Sequence, residues 1–247
     1  MVPFTPLPDW HIGPLTVNIH SLMFMIGALT AYVWTYKRTP KEYQEHLDHL
    51  ACWMTVFGIL GARLLFVILY PHLIASPWRA FCFWEGGLVS YGGFVGAIAT
   101  WIIYIRRHQL PMNVLCDALG PAAVMGWGLG RIGCWLSWNG EIGTPTTLPW
   151  GFIVNGDVPR HPVMLYLASA HITMALLSIP IARRFKVNTA APALIAFGGV
   201  RVVLDTWRFY DPFWLHYGSV AFSMLFVILG CLAWKRLTPV TSEISQP

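Results

Sequence analysis

Charge is what this sequence has least of. Only 11% of its 247 residues are charged, 16 Lys or Arg against 11 Asp or Glu. That is about half the share usual in a soluble domain. With 56% hydrophobic residues and a mean hydropathy of +0.56, the composition argues against a soluble domain. Cysteine is scarce as well. Of the five, Cys52, Cys116 and Cys231 fall in apolar runs, where a thiol is a small buried group. Cys82 and Cys134 are the one conceivable bridge, so there is no disulfide framework. No His, Cys and Asp cluster has metal-ligand spacing, so neither a metal nor a cofactor is expected. Repeats, low-complexity blocks and linkers are missing too. Met1 to Leu15 contains no Lys or Arg and so lacks the basic start of a signal peptide. Pro3, Pro6, Pro8 and Pro14 deny this stretch a long helix. It is expected to form an N-terminal outer arm that brings Phe4 and Trp10 to a membrane interface.

What is present is a series of apolar runs, near 16–36, 50–70, 86–105, 113–136, 163–182, 190–206 and 217–234. Each approaches the roughly 20 residues that cross a hydrocarbon core, although the sixth is short. The 13 Trp residues fit interfacial belts. With the N-terminus outside, the inner loops hold Lys37, Arg38, Lys41, Arg106, Arg107, Arg183, Arg184 and Lys186, and the tail holds Lys235 and Arg236. Outer loops hold only Arg79, Arg160 and Arg208. This is the positive-inside pattern, and it explains the net charge of +5 as a topology signal with no nucleic acid as partner. The sequence predicts an all-α polytopic membrane protein of about seven transmembrane helices. It forms a single transmembrane domain over 1–247, with a small outer cap near 137–162 between helices four and five. The C-terminus is cytoplasmic.

Five acidic or basic residues of the Asp, Glu, Lys and Arg kind interrupt the apolar runs: Arg63, Asp117, Arg131, Arg201 and Asp205. Each costs about 2.5–3.5 kcal/mol at a helix centre on insertion scales. Asp205 follows Arg201 by one helical turn and suits pairing with it. Arg131 has no nearby carboxylate before Glu141. A guanidinium facing a cavity suits an anion, and its fork fits phosphate oxygens. Two such groups at the outer ends of the fourth and sixth helices are placed to clamp one lipid phosphate. Glycines flank these polar groups: Gly86, Gly87, Gly92 and Gly93 around Tyr91, and Gly128, Gly130 and Gly133 around Arg131. They serve either close helix packing or the approach of backbone N–H donors to an anion. The stretch from Ser137 to Pro162 is rich in turn signals. It is longer than a simple connection, which usually marks function.

At these residues the chain resembles the prolipoprotein diacylglyceryl transferase family. The signature region reads Gly130-Arg-Ile-Gly-Cys134, then Asn139-Gly-Glu141. Around it lie Gly61-Ala-Arg63, Trp84-Glu-Gly-Gly87 with Tyr91-Gly-Gly93, Leu148-Pro-Trp-Gly151, Arg160-His-Pro162 with Tyr166, and Gly199-Val-Arg201 with Asp205. The order of these motifs and the seven-helix pattern carry the resemblance over most of the chain.

The resemblance implies a reaction and its partners. The diacylglycerol group of phosphatidylglycerol, a membrane lipid, is moved onto the thiol of the lipobox cysteine in a prolipoprotein signal peptide. Glycerol 1-phosphate leaves, and the location is the bacterial inner membrane. A thiolate is the nucleophile in such a step, and preorganised guanidinium donors stabilise the departing phosphate. The expected catalytic residues are His161, Tyr91, Arg131 and Arg201. Gly92, Gly93, Gly133, Glu141 and His20 are expected to bind substrate beside the two arginines. Glu85, Asp117 and Glu141 would orient arginines, and Arg63 is expected to be structural.

The chain departs from the family pattern at several places. Tyr91 stands where many members carry a His, His20 where Tyr is usual, and Cys134 where Asn is frequent. Met164 and Leu167 replace a Gln and a Glu, and Phe197 replaces a Tyr. Extra residues separate Arg131 from Glu141. His161 is then the most plausible titratable base, being near neutral at physiological pH, while Tyr91 would donate a hydrogen bond. Two alternatives stay open: a diverged paralogue using another lipid or acceptor, and a non-enzymatic anionic-lipid binder or transporter.

Overall fold

The structure, a computed structural model, describes residues 1–12, 15–71, 78, 81, 87–138, 143–154, 156–209 and 214–237. Seven α-helices lie among them: α1 (Ile19–Arg38), α2 (Lys41–Leu69), α3 (Ser90–Arg107), α4 (Met112–Ser137), α5 (Val163–Phe185), α6 (Ala190–Leu204) and α7 (Trp214–Arg236). Four short strands accompany them: β1 (Val2–Phe4), β2 (Trp10–Ile12), β3 (Leu15–Val17) and β4 (Phe152–Val154). Five helices are long and apolar enough to cross a membrane: α1, α2, α5, α7, and α6 together with the 3-10 turn Asp205–Trp207 that prolongs it. Helices α3 and α4 are not among the five. Asp117, Pro121, Arg131 and a run of glycines dilute the hydropathy of α4, and α3 ends on Arg106 and Arg107. Large apolar side chains point outward along the helices, including Met25, Leu29, Leu64, Ile68, Val95, Ile103 and Ile228. Such a surface suits lipid and is a liability in water. The protein is therefore a polytopic helical membrane protein.

Two compact units are present. One, Thr39–Met112, contains the α2–α3 pair. The helices approach through glycine. A Cβ on Gly61 would collide with the Gly92 carbonyl, and one on Gly92 with the Gly61 carbonyl. Lipid supplies no hydrophobic drive between helices, so small residues that let backbones touch are what hold such a pair. Gly87, at φ 72°, makes the turn into α3. Its carbonyl accepts a hydrogen bond from Arg63 Nη1 at 3.1 Å, and the Arg63 guanidinium lies 5.2 Å from the Phe66 ring. A groove of about 910 Å³ runs along the pair, lined by Trp53, Phe57, Leu60, Leu64, Val95 and Ile103 among others. Its apolar walls again call for a hydrocarbon surrounding.

The other unit joins Met1–Arg38 to the chain from Asn113 onward. Here α4 is the hub. Against α1 it presents Gly126, Gly130 and Gly133. A Cβ on Gly126 would meet the Gly27 backbone and Ala31, one on Gly130 the Phe24 ring, and one on Gly133 Met23 and His20. Gly128 turns to Ala168 and Ile172 of α5, and Gly120 to Ala190 of α6. Helices α6 and α7 close on each other at Gly198 against Ser223, and at Gly230 against Ala191 and Ile195. The N-terminal arm is held by strand pairing, by ring stacking and by the Leu7 N–H, which donates to the Leu136 carbonyl at 2.9 Å. β1 pairs in parallel with β4, Val2 opposite Phe152, and Phe4 stacks on Trp135 at 4.2 Å. The Cys82–Cys134 pair, conceivable from sequence, involves Cys82, which lies outside the described residues.

Asp117 anchors the opposite end of the hub. One carboxylate oxygen meets Arg38 Nη2 at 2.9 Å, and the other accepts the Thr189 N–H at 2.9 Å. The group thus ties the last turn of α1 to the start of α6, and it does orient an arginine. Removing one partner from a largely buried charged pair strands the other. Asp117→Ala should lower stability by about 3 kcal/mol, and Asp117→Asn, which keeps an acceptor, by less. Thermal unfolding of the purified variants in detergent tests this; a wild-type melting curve for Asp117→Ala would refute it.

Candidate functional site

The hub helix carries Arg131 one turn beyond Trp127, and α6 carries Arg201 one turn beyond Phe197. Side chains on a helix lean toward its N-terminus, so each arginine reaches back over the aromatic ring one turn before it. The Arg131 guanidinium carbon sits 4.6 Å from the Trp127 ring centre. That of Arg201 sits 5.9 Å from the same ring and 5.9 Å from Phe197. The two residues are 5% and 3% exposed. Two cations therefore share one indole ring inside the unit. Cation–π attraction of about 0.5–2 kcal/mol each helps to hold them, yet leaves their mutual repulsion in place.

Helix α7 supplies the rest of the frame around Arg201. Nε donates to Ser223 Oγ at 3.2 Å and Nη2 to Ser219 Oγ at 3.0 Å. Ser219 Oγ in turn donates a hydrogen bond to Asp205 Oδ2 at 2.6 Å, and Ser223 Oγ donates to the Ser219 carbonyl at 2.7 Å. The expected Arg201–Asp205 pairing is thus relayed through a serine of another helix. Asp205 and both serines are fully buried. Among the described residues, one carboxylate set against two guanidiniums leaves the cluster cationic and suited to an anion.

A buried histidine joins this cluster. His171 on α5 has no exposed surface. Its ring lies 5.0 Å from that of Phe197, and both arginine charges reach it.

His161 lies on the loop that precedes α5. Its N–H donates to the Thr144 carbonyl at 3.1 Å, and the Thr144 N–H donates to the Trp207 carbonyl at 2.8 Å. The loop is thereby fastened to the 3-10 turn that ends α6. The His161 ring lies 6.1 Å from the rings of Tyr166 and Trp207. Desolvation by partial burial lowers its pKa from the ordinary histidine value. Gly143 lets the His161 backbone come close, since a Cβ there would strike the His161 carbonyl. Beside it, Arg160 bonds to Asp157 at 3.0 Å.

The remaining expected residues divide between the units. His20 begins α1, where the Asn18 side chain accepts its backbone N–H at 2.8 Å and its ring meets Phe24 at 4.8 Å. Its backbone packs against Gly133. Tyr91, Gly92 and Gly93 open α3 in the other unit. Tyr91 is 37% exposed, while Gly92 and Gly93 face α2 at Gly61, Leu65, Gly58 and Ala62. Glu141, with Asn139 and Glu85, lies outside the described residues. Met164, Leu167, Phe197 and Cys134 are all buried. No group of three or more His, Cys, Asp or Glu suited to a metal occurs among the described residues.

Sequence reasoning did not single out four residues of the cluster: Trp127, His171, Ser219 and Ser223. A signal existed for the serines, which recur at i and i+4 in an apolar helix. His171 was signalled as well, as an ionisable group inside the fifth apolar run.

Comparison with known proteins agrees with the signature residues. A family model described as prolipoprotein diacylglyceryl transferase matches residues 9–236. Proteins named phosphatidylglycerol–prolipoprotein diacylglyceryl transferase are similar over most of their length. The one from Pseudomonas fluorescens (strain SBW25) is 32% identical, covering 92% of each chain. That from Coxiella burnetii (strain Dugway 5J108-111) is 33% identical over 87% of this chain and 85% of its own. That from Bordetella bronchiseptica is 31% identical over 82% of both.

Proposed function

The chain belongs to the prolipoprotein diacylglyceryl transferase family, and from that premise we infer that it transfers the diacylglycerol group of phosphatidylglycerol to prolipoproteins. The acceptor is the lipobox cysteine thiol, in lipoprotein maturation. The thiol loses its proton, and sulfur attacks the glycerol carbon that bears the phosphate. A carbon–sulfur bond forms and the carbon–oxygen bond breaks. Glycerol 1-phosphate leaves with the electron pair.

One observation carries the reading: two buried guanidiniums on a single indole, braced by serines and a carboxylate. The leaving group gains negative charge in the transition state, and fixed donors in a dry pocket stabilise that charge better than water does. We assign Arg131 and Arg201 to the phosphate, with His20, Gly133, Gly92, Gly93 and Glu141 as further substrate contacts. We infer a single transmembrane domain of seven crossings in the bacterial inner membrane. The N-terminal arm and the cap then lie outside, and the C-terminus in the cytoplasm. The apolar Met164, Leu167 and Phe197 favour, as a second reading, a paralogue with another lipid or acceptor.

Mass spectrometry of a lipobox peptide incubated with the purified protein and phosphatidylglycerol tests the activity directly. A diacylglyceryl thioether is expected; no adduct would defeat the reading. Arg131→Lys and Arg201→Lys should each lose most turnover, because a point charge does not reproduce the guanidinium fork. Unchanged rates in both would remove the clamp.

The topology has its own test. A cysteine placed at Asp157 should react with an impermeant thiol reagent added from outside. Labelling from the cytoplasmic side alone would refute the orientation.

His161 is assigned as the base. The free acceptor thiol titrates near pH 8.5, and a neutral imidazole takes its proton more readily than a neutral phenol such as Tyr91. Desolvation disfavours the charged ring, so folded His161 titrates below about 6.5. The base is fully present above that value, and activity should fall as pH drops below it. His161→Gln should cost on the order of 10²–10⁴-fold at neutral pH, with partial recovery as rising pH ionises the thiol. Tyr91→Phe should cost less and show no recovery. The reverse pair of profiles would exchange the two roles.

A further inference from the structure

His171 is buried to zero exposure, and only one of its ring nitrogens is committed. Nδ1 lies 2.6 Å from the Leu167 carbonyl oxygen. A carbonyl can only accept, so Nδ1 carries the N–H, and in a neutral imidazole Nε2 then carries the lone pair. Nε2 is buried and makes no hydrogen bond. The Phe197 backbone lies near the ring but is not in hydrogen-bond geometry with that nitrogen. Leaving a buried polar atom unsatisfied is costly, and such atoms in native proteins ask for an explanation.

The level of Nε2 in the bundle supplies one. The guanidiniums of Arg131 and Arg201 lean back one turn to Trp127 and Phe197, and His171 is itself in ring contact with Phe197. The His171 ring and the two cations are therefore gathered around the same pair of rings, Trp127 and Phe197. A phosphate between the guanidiniums cannot satisfy Nε2, since two acceptors do not bond. The missing partner must be a donor covalently close to the phosphate, and without positive charge, because two guanidiniums repel an ammonium. A hydroxyl two carbons from the phosphate ester oxygen meets all three conditions.

We propose that His171 Nε2 accepts a hydrogen bond from a hydroxyl of the phosphatidylglycerol headgroup and so makes His171 a determinant of lipid specificity. This rests on the transferase reading above and deepens it. Leu167 participates through its carbonyl, which fixes the tautomer. Gly128 participates through the close approach of α4 to Ala168 and Ile172, which seats this part of α5 beside Trp127.

The test compares two donor lipids with identical acyl chains, phosphatidylglycerol and phosphatidylpropanol. The second keeps the phosphodiester and lacks the hydroxyls. Both yield the same diacylglyceryl peptide, read by mass spectrometry. Wild-type protein should prefer phosphatidylglycerol by roughly tenfold or more in kcat/KM. His171→Phe, an apolar ring of similar size, should lose that preference by slowing on phosphatidylglycerol alone. His171→Gln, which keeps a neutral acceptor, should retain part of it. Where His171→Phe fails to fold, His171→Met serves in its place. Equal wild-type rates on the two lipids would overturn the headgroup contact while leaving the transferase intact. An equal loss on both lipids in the folded variant would overturn it too, and would point to the thiol as the donor. No adduct from either lipid would overturn the transferase reading, and this proposal with it.

Discussion

Two guanidinium groups held inside an apolar bundle are the constraint that organises the larger unit. A charge in an apolar helix costs up to about 2.5–3.5 kcal/mol at its centre and less toward its ends, and repulsion between two such groups adds to that. The surroundings answer each term separately. Trp127 lends its ring to both cations. Ser219 and Ser223 accept from Arg201, and Ser219 couples it to Asp205. Hydroxyls suit this work because they accept from the arginine and donate onward at once. Among the described residues the frame sets one carboxylate against two guanidiniums, a balance that suits the anionic headgroup proposed above.

Bringing the arginines to one ring requires four helices to approach closely, and the glycines of α4 provide for it. Facing three neighbours, they have no side chain because a backbone or a ring already fills the space. This bears on their expected role. Reading Gly133, Gly92 and Gly93 as places where backbone N–H groups meet substrate follows from their polar neighbours in sequence. In the structure the space beside each is taken by another helix: Met23 and His20 at Gly133, Gly61 and Leu65 at Gly92, Gly58 and Ala62 at Gly93. Close packing accounts for Gly133 and Gly92, while at Gly93 a side-chain carbon would make only ordinary contact.

The helices were legible because a membrane forces about twenty apolar residues into each crossing. The departures lie where that force ends. Helix α2 begins at Lys41, well before its apolar run, because Lys41–Asp48 is a polar helical segment. Helix α6 stops after fifteen residues and reaches crossing length only through its 3-10 turn. The arginines of the cluster were legible because charge in an apolar run is conspicuous. Ser219, Ser223, Trp127 and His171 were harder to see. Each is unremarkable in its own helix, and each gains meaning only from which helices face one another, which periodicity does not give. The parallel pairing of β1 with β4 was out of reach for the same reason: three residues at each end of a separation of about 150 leave no pattern.

The frame around Arg201 also bears on the loop that carries His161. A base on a loop is useful only if its distance to the reacting atoms is fixed, and loops are ordinarily the variable parts of a fold. Here two successive backbone hydrogen bonds run from His161 through Thr144 to Trp207, which closes the 3-10 turn containing Asp205. Asp205 in turn holds Ser219, which holds Arg201. The proposed base and one proposed phosphate ligand are thus tied to the same end of α6. A displacement of that helix end carries both together, so their spacing survives motions that would separate groups mounted on independent elements. Gly143 completes the arrangement, since any side chain there would push the His161 backbone off Thr144.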